Sequence, residues 1–154
     1  TRALSSAASD VYKRQQYGRI MGIDYGKVRI GIALTDLLKT IASPYEVYKS
    51  VSLQKDVEYF VKLVKEKEVE KIVLGLPLNM DGSEGERAKR TRIFGEMLEK
   101  ACGVPVVYQD ERLSSVEAEN YLLDGDVRRD KRKNLIDKVA ATIILEDYLR
   151  TICK

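Results

Sequence analysis

The sequence contains no histidine, and its two cysteines, Cys102 and Cys153, stand in no metal-ligand spacing. The first absence removes histidine acid–base chemistry, and together they remove the commonest zinc sites. Two incidental thiols suit a reduced, cytoplasmic chain. No apolar run approaches a membrane span, so no membrane partner is expected. Nothing repeats internally, and no low-complexity segment interrupts the chain.

What is present fits one domain: 154 residues with 44% hydrophobic content suffice for a single sizeable core and not for two. Residues 1–16 are small and polar, without hydrophobic periodicity, and read as a disordered or non-native leader before a domain at 17–154. Lys13 and Arg14 would make it at most a short basic arm. A net charge of +3 over 33% charged residues permits nucleic acid as a partner without demanding it.

Two β-branched-rich runs, Ile20 to Ile23 and Ile30 to Thr35, flank a polar break at Gly26, the pattern of a β-hairpin. Ile41 to Lys49 reads as a third strand beginning near Pro44. Ser52 then precedes Val57, Phe60, Val61 and Val64 at helical spacing, which predicts an amphipathic helix from Leu53 to about Lys67. Lys71 to Leu76 is a short apolar run stopped by Pro77, as expected of a buried parallel strand. A polar loop, Asn79 to Gly85, leads to a helix through Ala101, with Ile93, Met97 and Leu98 expected inward. A strand at Val104 to Gln109 follows. Ser114 or Ser115 opens a helix over Leu113 to Leu123, with Glu117 as capping-box partner of Ser114 and Gly125 ending it. A charged loop from Asp126 to Lys133 precedes a last helix from about Asn134. The expected fold is therefore α/β: a mixed five-stranded sheet, three strands antiparallel and two parallel, with helices on both faces. That order resembles the ribonuclease H-like fold.

Asp24 ends the first strand, and a buried carboxylate there is costly unless it meets a cation, a metal or several donors. The ordinary alternative is a turn aspartate bonding its own backbone. Asp110-Glu111-Arg112 ends the last strand, and strand alternation allows at most one of its acids to share a site with Asp24. Asp137 is expected in the first turn of the last helix, where the helix dipole alone would account for a carboxylate. Ala140 and Ala141 on the same face would let that helix lie close to a sheet, and Gly22 would make room for it. Three convergent carboxylates need a cation to stay ionised, and oxygen-only ligands favour Mg²⁺ or Mn²⁺. Two such ions about 4 Å apart suit in-line phosphoryl displacement without histidine.

The Asn79 to Gly85 loop leaves a parallel strand for a helix, the position where α/β folds bind ligands, and its amides with the helix N-terminus could hold a phosphate. It lacks Walker spacing. Arg87, Lys89, Arg90 and Arg92, with Arg128, Arg129, Lys131, Arg132 and Lys133, form two basic clusters. Charge runs are commonly solvated faces, but both follow strand ends that would carry the site, where a phosphate backbone would run. Tyr25, Tyr45, Tyr48 and Tyr121 are expected to pack rather than to stack on bases.

Asp-Tyr-Gly-x-x-Arg-Ile-Gly-Ile-Ala at 24 to 33, Gly-Leu-Pro-Leu-Asn-Met-Asp-Gly at 75 to 82, Asp-Glu-Arg-Leu-Ser-Ser at 110 to 115 and Asp-x-x-Ala-Ala at 137 to 141 together resemble the YqgF/RuvX family. The resemblance runs from about Gly18 to the C-terminus. It implies a ribonuclease H-like fold similar to that of RuvC-type Holliday-junction resolvases, in a bacterial cytoplasmic hydrolase of phosphodiesters. The implied substrate is the 5′ end of precursor 16S ribosomal RNA. Carried over by motif, Asp24, Glu111 and Asp137 are the catalytic and metal-binding acids. Asp24 would bridge two ions while Glu111 and Asp137 each hold one.

The expectation is thus a two-metal nuclease, monomeric or homodimeric, acting on precursor rRNA or branched DNA. Arg29, Asn79, Gly82, Arg87, Arg90, Arg112, Arg128, Arg129 and Arg132 are the candidates for contact with nucleic acid. Alternatives are a Holliday-junction-type DNA resolvase, a non-catalytic ribosome-assembly factor, and an actin-like or sugar-kinase-like ATPase. The last requires a second Asp-x-Gly hairpin and a second domain, which the sequence does not supply.

Overall fold

Strand β1 (Arg19–Tyr25) turns sharply into β2 (Arg29–Thr35), and the two pair antiparallel with Asp24 opposite Gly31. Gly26 is needed at the turn, because a Cβ there would collide with the Arg29 carbonyl oxygen. The computed structural model describes residues 18–110 and 129–152, with side chains in the second stretch from Asp137 onward. The leader, Glu111, Arg112, the helix expected over Leu113 to Leu123 and Arg128 lie outside the described residues.

β3 (Ala42–Lys49) pairs antiparallel with β2 at the sheet edge. The register skips between Ile32 and Ala33, beside Pro44. An edge and a bulge are where a sheet tolerates proline. β4 (Val69–Leu76) runs parallel to β1, and β5 (Val106–Asp110) parallel to β4, so the order is β3-β2-β1-β4-β5. This is the mixed five-stranded sheet expected from the hydrophobic patterns.

Alternation along the strands makes two cores. One face carries Met21, Ile23, Ile32, Ile72 and Leu74 and is covered by α1 (Leu53–Glu66) and α2 (Glu86–Cys102) through Phe60, Leu63, Phe94 and Leu98. Full burial of each such side chain is worth about 1.5–3 kcal/mol. The other face carries Ile20, Ala33 and Val73 and is covered by α3 (Arg129–Ile152) through Ala141, Ile144, Leu145 and Leu149. Ser52 caps α1, its side chain accepting from the Lys55 amide at 3.3 Å. Gly103, at φ +72, closes α2 in the left-handed conformation, its N–H bonded to the Glu99 carbonyl. No described helix is long and apolar enough to cross a membrane.

Two local expectations are corrected. Ile93 and Met97 do not face inward; they are 51% and 38% exposed, while Ala88, Thr91, Phe94, Gly95 and Leu98 are buried. The buried stripe uses small residues because α2 lies close on the sheet: a Cβ on Gly95 would meet the Tyr108 hydroxyl and stand 3.0 Å from Leu74 Cδ2. The last helix includes Arg129 to Lys133, read from the sequence as loop. That segment is charged but holds no glycine or proline, and arginine and lysine are good helix formers.

Candidate nuclease site

Asp24 is the penultimate residue of β1 and, alternating with the buried Ile23, belongs to the face that α3 covers. Two glycines on that face let the helix settle directly on the strands. A Cβ on Gly22 would lie 2.8 Å from the Ala141 carbonyl oxygen, and one on Gly31 would run into the Asp137 carbonyl. Ala140 and Ala141 are fully buried, as their size suggested. The helix main chain thus lies on the β1–β2 ladder, and Asp137 stands over the ladder's end beside Asp24.

Burial pushes the Asp137 carboxyl up; the charge of Asp24 pushes it further, Arg29 opposes, and the result is about 6. Arg29 Nε lies 3.3 Å from Asp137 Oδ2, with the Asp137 side chain 25% exposed. Asp137 does not stand in the first turn as expected, but more than two turns inside α3. A helix dipole acts within the first turn, so it does not account for this carboxylate.

Asp110, in register with Leu76 on the α1/α2 face, ends β5 on the side of the sheet away from Asp24. Its neighbour Glu111 lies outside the described residues, and among those residues no group of three potential ligands is placed to hold a metal ion. Asp24 and Asp137 are the two acids the structure brings together.

Arg87, Lys89 and Arg90 are exposed at the start of α2. Arg90 lies near enough to lower the Tyr25 hydroxyl against the dominant effect of burial, so it reaches the end of β1 on the α1/α2 face, opposite the face of Asp24. Arg92 is engaged elsewhere: it grips Glu84 at 2.6 and 3.1 Å and covers the Tyr108 ring. Arg129 and Arg132 stand at the beginning of α3. The loop after β4 closes on itself, with Asn79 N donating to Ser83 O and Gly82 N to Asn79 O, both at 2.8 Å, and Ser83 N to Asp81 Oδ1. Those amides already have acceptors, so a phosphate on the main chain here would have to displace these bonds. Tyr25 stacks on Phe94 and Tyr48 on Tyr59, packing roles as expected.

Asp56 is a buried acid that sequence reasoning missed. It is fully buried and accepts from the Ser50 hydroxyl and the Val51 amide, tying β3 to α1. Its position in the first turn after the Ser52 cap was the available signal.

Residues 18–151 match the model of the RuvX family, described as Holliday junction resolvase. A protein of Halothermothrix orenii named "Putative pre-16S rRNA nuclease" is 51% identical over 131 residues, covering 85% of this chain and 94% of its own. One of the same name from Clostridioides difficile (strain 630) is 46% identical over 132 residues, covering 86% and 94%. Among solved structures, T. thermophilus RuvC in complex with a Holliday junction substrate superposes with a TM-score of 0.56 at 16% identity, over 88% of this chain and 96% of that one. The Fowlpox virus resolvase bound to Holliday junction DNA gives 0.54 at 12% identity, over 88% and 99%. At such identities the likeness is one of fold, and the fold is ribonuclease H-like. With nearly the whole described sheet and its last helix inside the matched span, this chain belongs to the RuvX family.

Proposed function

We propose that this chain is a metal-dependent nuclease that hydrolyses phosphodiester bonds in structured nucleic acid, with the 5′ end of precursor 16S rRNA as its substrate. The observation that carries the reading is the confrontation of Asp24 and Asp137 under α3, where burial first and the charge of Asp24 second raise the Asp137 carboxyl to about 6 with one guanidinium opposing. Such a pair is relieved by a cation, and its hard oxygen donors fit Mg²⁺ or Mn²⁺. The names borne by relatives of about half identity support the same substrate. That substrate implies action in the cytoplasm.

Asp24, Glu111 and Asp137 would hold the ions. Glu111 enters this set through the Asp-Glu-Arg motif alone, since it lies outside the described residues. When bound, the ions supply Lewis acidity and neutralise charge on the attacking and leaving oxygens. The chain's own residues do the rest. Asp24 presents its carboxylate from a rigid strand end, and the glycine trough fixes Asp137 beside it. Arg29 holds Asp137 in place. Arg87, Arg90, Arg112, Arg128, Arg129 and Arg132 hold phosphates on either side, with Asn79 and Gly82 flanking. Hydrolysis adds water across one P–O bond.

The description of the family model favours a second reading, resolution of four-way DNA junctions. Purified protein incubated with a precursor 16S RNA and a four-way DNA junction, with Mg²⁺, Mn²⁺ or a chelator, separates the two. RNA cleavage that needs metal and disappears in Asp24→Asn supports the first reading, and junction cleavage alone supports the second. Binding without cleavage by the wild type would make the chain an assembly factor.

A further inference from the structure

Beside the acidic pair lies a cleft of ≈ 520 Å³ lined by Val28, Arg29, Glu46, Val47, Lys49 and Lys138. We propose that this cleft receives a single strand of nucleic acid running away from Asp24 and Asp137, its phosphates held by Lys49 and Lys138. The inference rests on the nuclease reading and adds to it a substrate class: nucleic acid with a single-stranded segment beside the point of cleavage.

The charges in the cleft are arranged at a cost. Arg29 and Lys49 are direct cross-strand partners, in register on the face that α3 covers. Like charges opposite each other destabilise an antiparallel pair. Arg29 is compensated by Asp137 at 3.3 Å, but among the described residues neither Lys49 nor Lys138 has a carboxylate partner. The acid in the lining does not relieve them, because Glu46 is in register with Ile32 of the opposite face and accepts from the Tyr59 hydroxyl of α1 at 3.0 Å. An anion in the cleft would remove the conflict.

Position and size decide which anion. Lys138 follows Asp137 in α3, and Arg29 touches both the cleft and the acid, so the cleft begins where the candidate site ends. Its volume falls in the range of small-ligand pockets, about 300–1,000 Å³, which admits a short run of one strand and no double helix. Val28, 59% exposed at the rim, and Val47 give the sugar an apolar wall between the cations.

The test is a salt titration of RNA binding by the full chain in Mg²⁺, in the Asp24→Asn background so that bound RNA stays intact. Two hairpin RNAs are compared, one blunt and one with a single-stranded extension. On the extended RNA, Lys49→Ala and Lys138→Ala should each lower the slope of log K against log salt by about 0.7, the value for one single-strand phosphate. On the blunt RNA they should change nothing. Lys49→Arg with Lys138→Arg should keep the parental slope, and Lys62→Ala with Lys65→Ala, removing charge from exposed positions of α1, should keep it too. Unchanged slopes on the extended RNA, with the parent binding and the wild type cutting, would overturn the cleft while leaving the nuclease reading intact. Equal losses on both RNAs would overturn the single strand as occupant. No binding by the parent and no cutting by the wild type would overturn the nuclease reading, and the cleft with it.

Discussion

The main chain of Asp137 occupies the space that a side chain at Gly31 would need: a Cβ there would meet the Asp137 carbonyl oxygen and stand 2.6 Å from its carbonyl carbon. Gly31 is also the cross-strand partner of Asp24. One glycine therefore sets the separation of the two acids. Gly31→Ala should push α3 off the ladder and cost about 1–3 kcal/mol, the usual range for overpacking. Urea denaturation measures that cost, and cleavage measured where the variant remains folded should fall as well.

Asp24→Asn should abolish metal-dependent cleavage and make the metal-free protein less sensitive to pH. In the folded chain Asp137 keeps its proton up to about 6, against an ordinary value of 3.8. The folded state thus binds more protons than the unfolded state between those values, and stability falls as pH rises through that window. Asp24 is one cause of the shift, so its removal narrows the window. Denaturation with a chelator at about pH 4 and about pH 7 should show a smaller loss in the variant than in the wild type. An equal loss would mean that Asp24 does not act on Asp137.

Arg29→Gln should have the opposite effect on the same carboxyl. The guanidinium is the one influence that lowers Asp137, and without it burial and Asp24 act unopposed. A carboxyl NMR titration of Asp137 in metal-free protein should move upward. No movement would show the 3.3 Å pair to be electrostatically idle.

Asp56→Ala tests structure apart from chemistry. It strands the Ser50 hydroxyl and the Val51 amide where a fully buried acceptor had satisfied them. Val51 is exposed and Ser50 half-buried, so water takes over part of what is lost, and each bond is worth about 0.5–1.5 kcal/mol. The denaturation midpoint should drop, and cleavage by the folded fraction should be unaffected.

Replacing Arg128, Arg129 and Arg132 together by alanine should flatten the salt dependence of nucleic-acid binding by about 0.7–0.9 for each phosphate that the variant no longer grips. It should weaken different sequences about equally, because phosphate contacts carry no base information. Identical slopes for wild type and variant would make the run into α3 a solubilising face.

What could be read from the chain beforehand followed the strength of local signals. Strands β1, β2 and β4 announce themselves by β-branched runs and turn residues. Asp24 and Asp137 could be singled out by the small residues beside them, Gly22 before one and Ala140 and Ala141 after the other, although Asp137 lies more than two turns inside its helix and not at the start expected for it. The face of α2 was misread because hydrophobicity pointed to Ile93 and Met97, whereas a helix lying this close selects its inward stripe by size, at Ala88 and Gly95. The start of α3 was misread because charge resembles loop, although Arg129 to Lys133 contain nothing that breaks a helix. Asp56 offered only its place in the first turn after the Ser52 cap, and the Lys49–Lys138 cleft gave no local signal because it depends on β3 and α3 meeting across the sheet.

Asp24 lies in the first strand and Asp137 in the last helix, so the two acids belong to opposite ends of the described chain. They meet only when α3 lies down in the glycine trough, a contact of high sequence separation that a folding chain makes slowly. A polypeptide still on the ribosome, with its hairpin formed and its last helix not yet released, has one acid and an open trough. The step that docks α3 is therefore the step that brings the two acids together, and a chain in which α3 has not yet docked holds them apart.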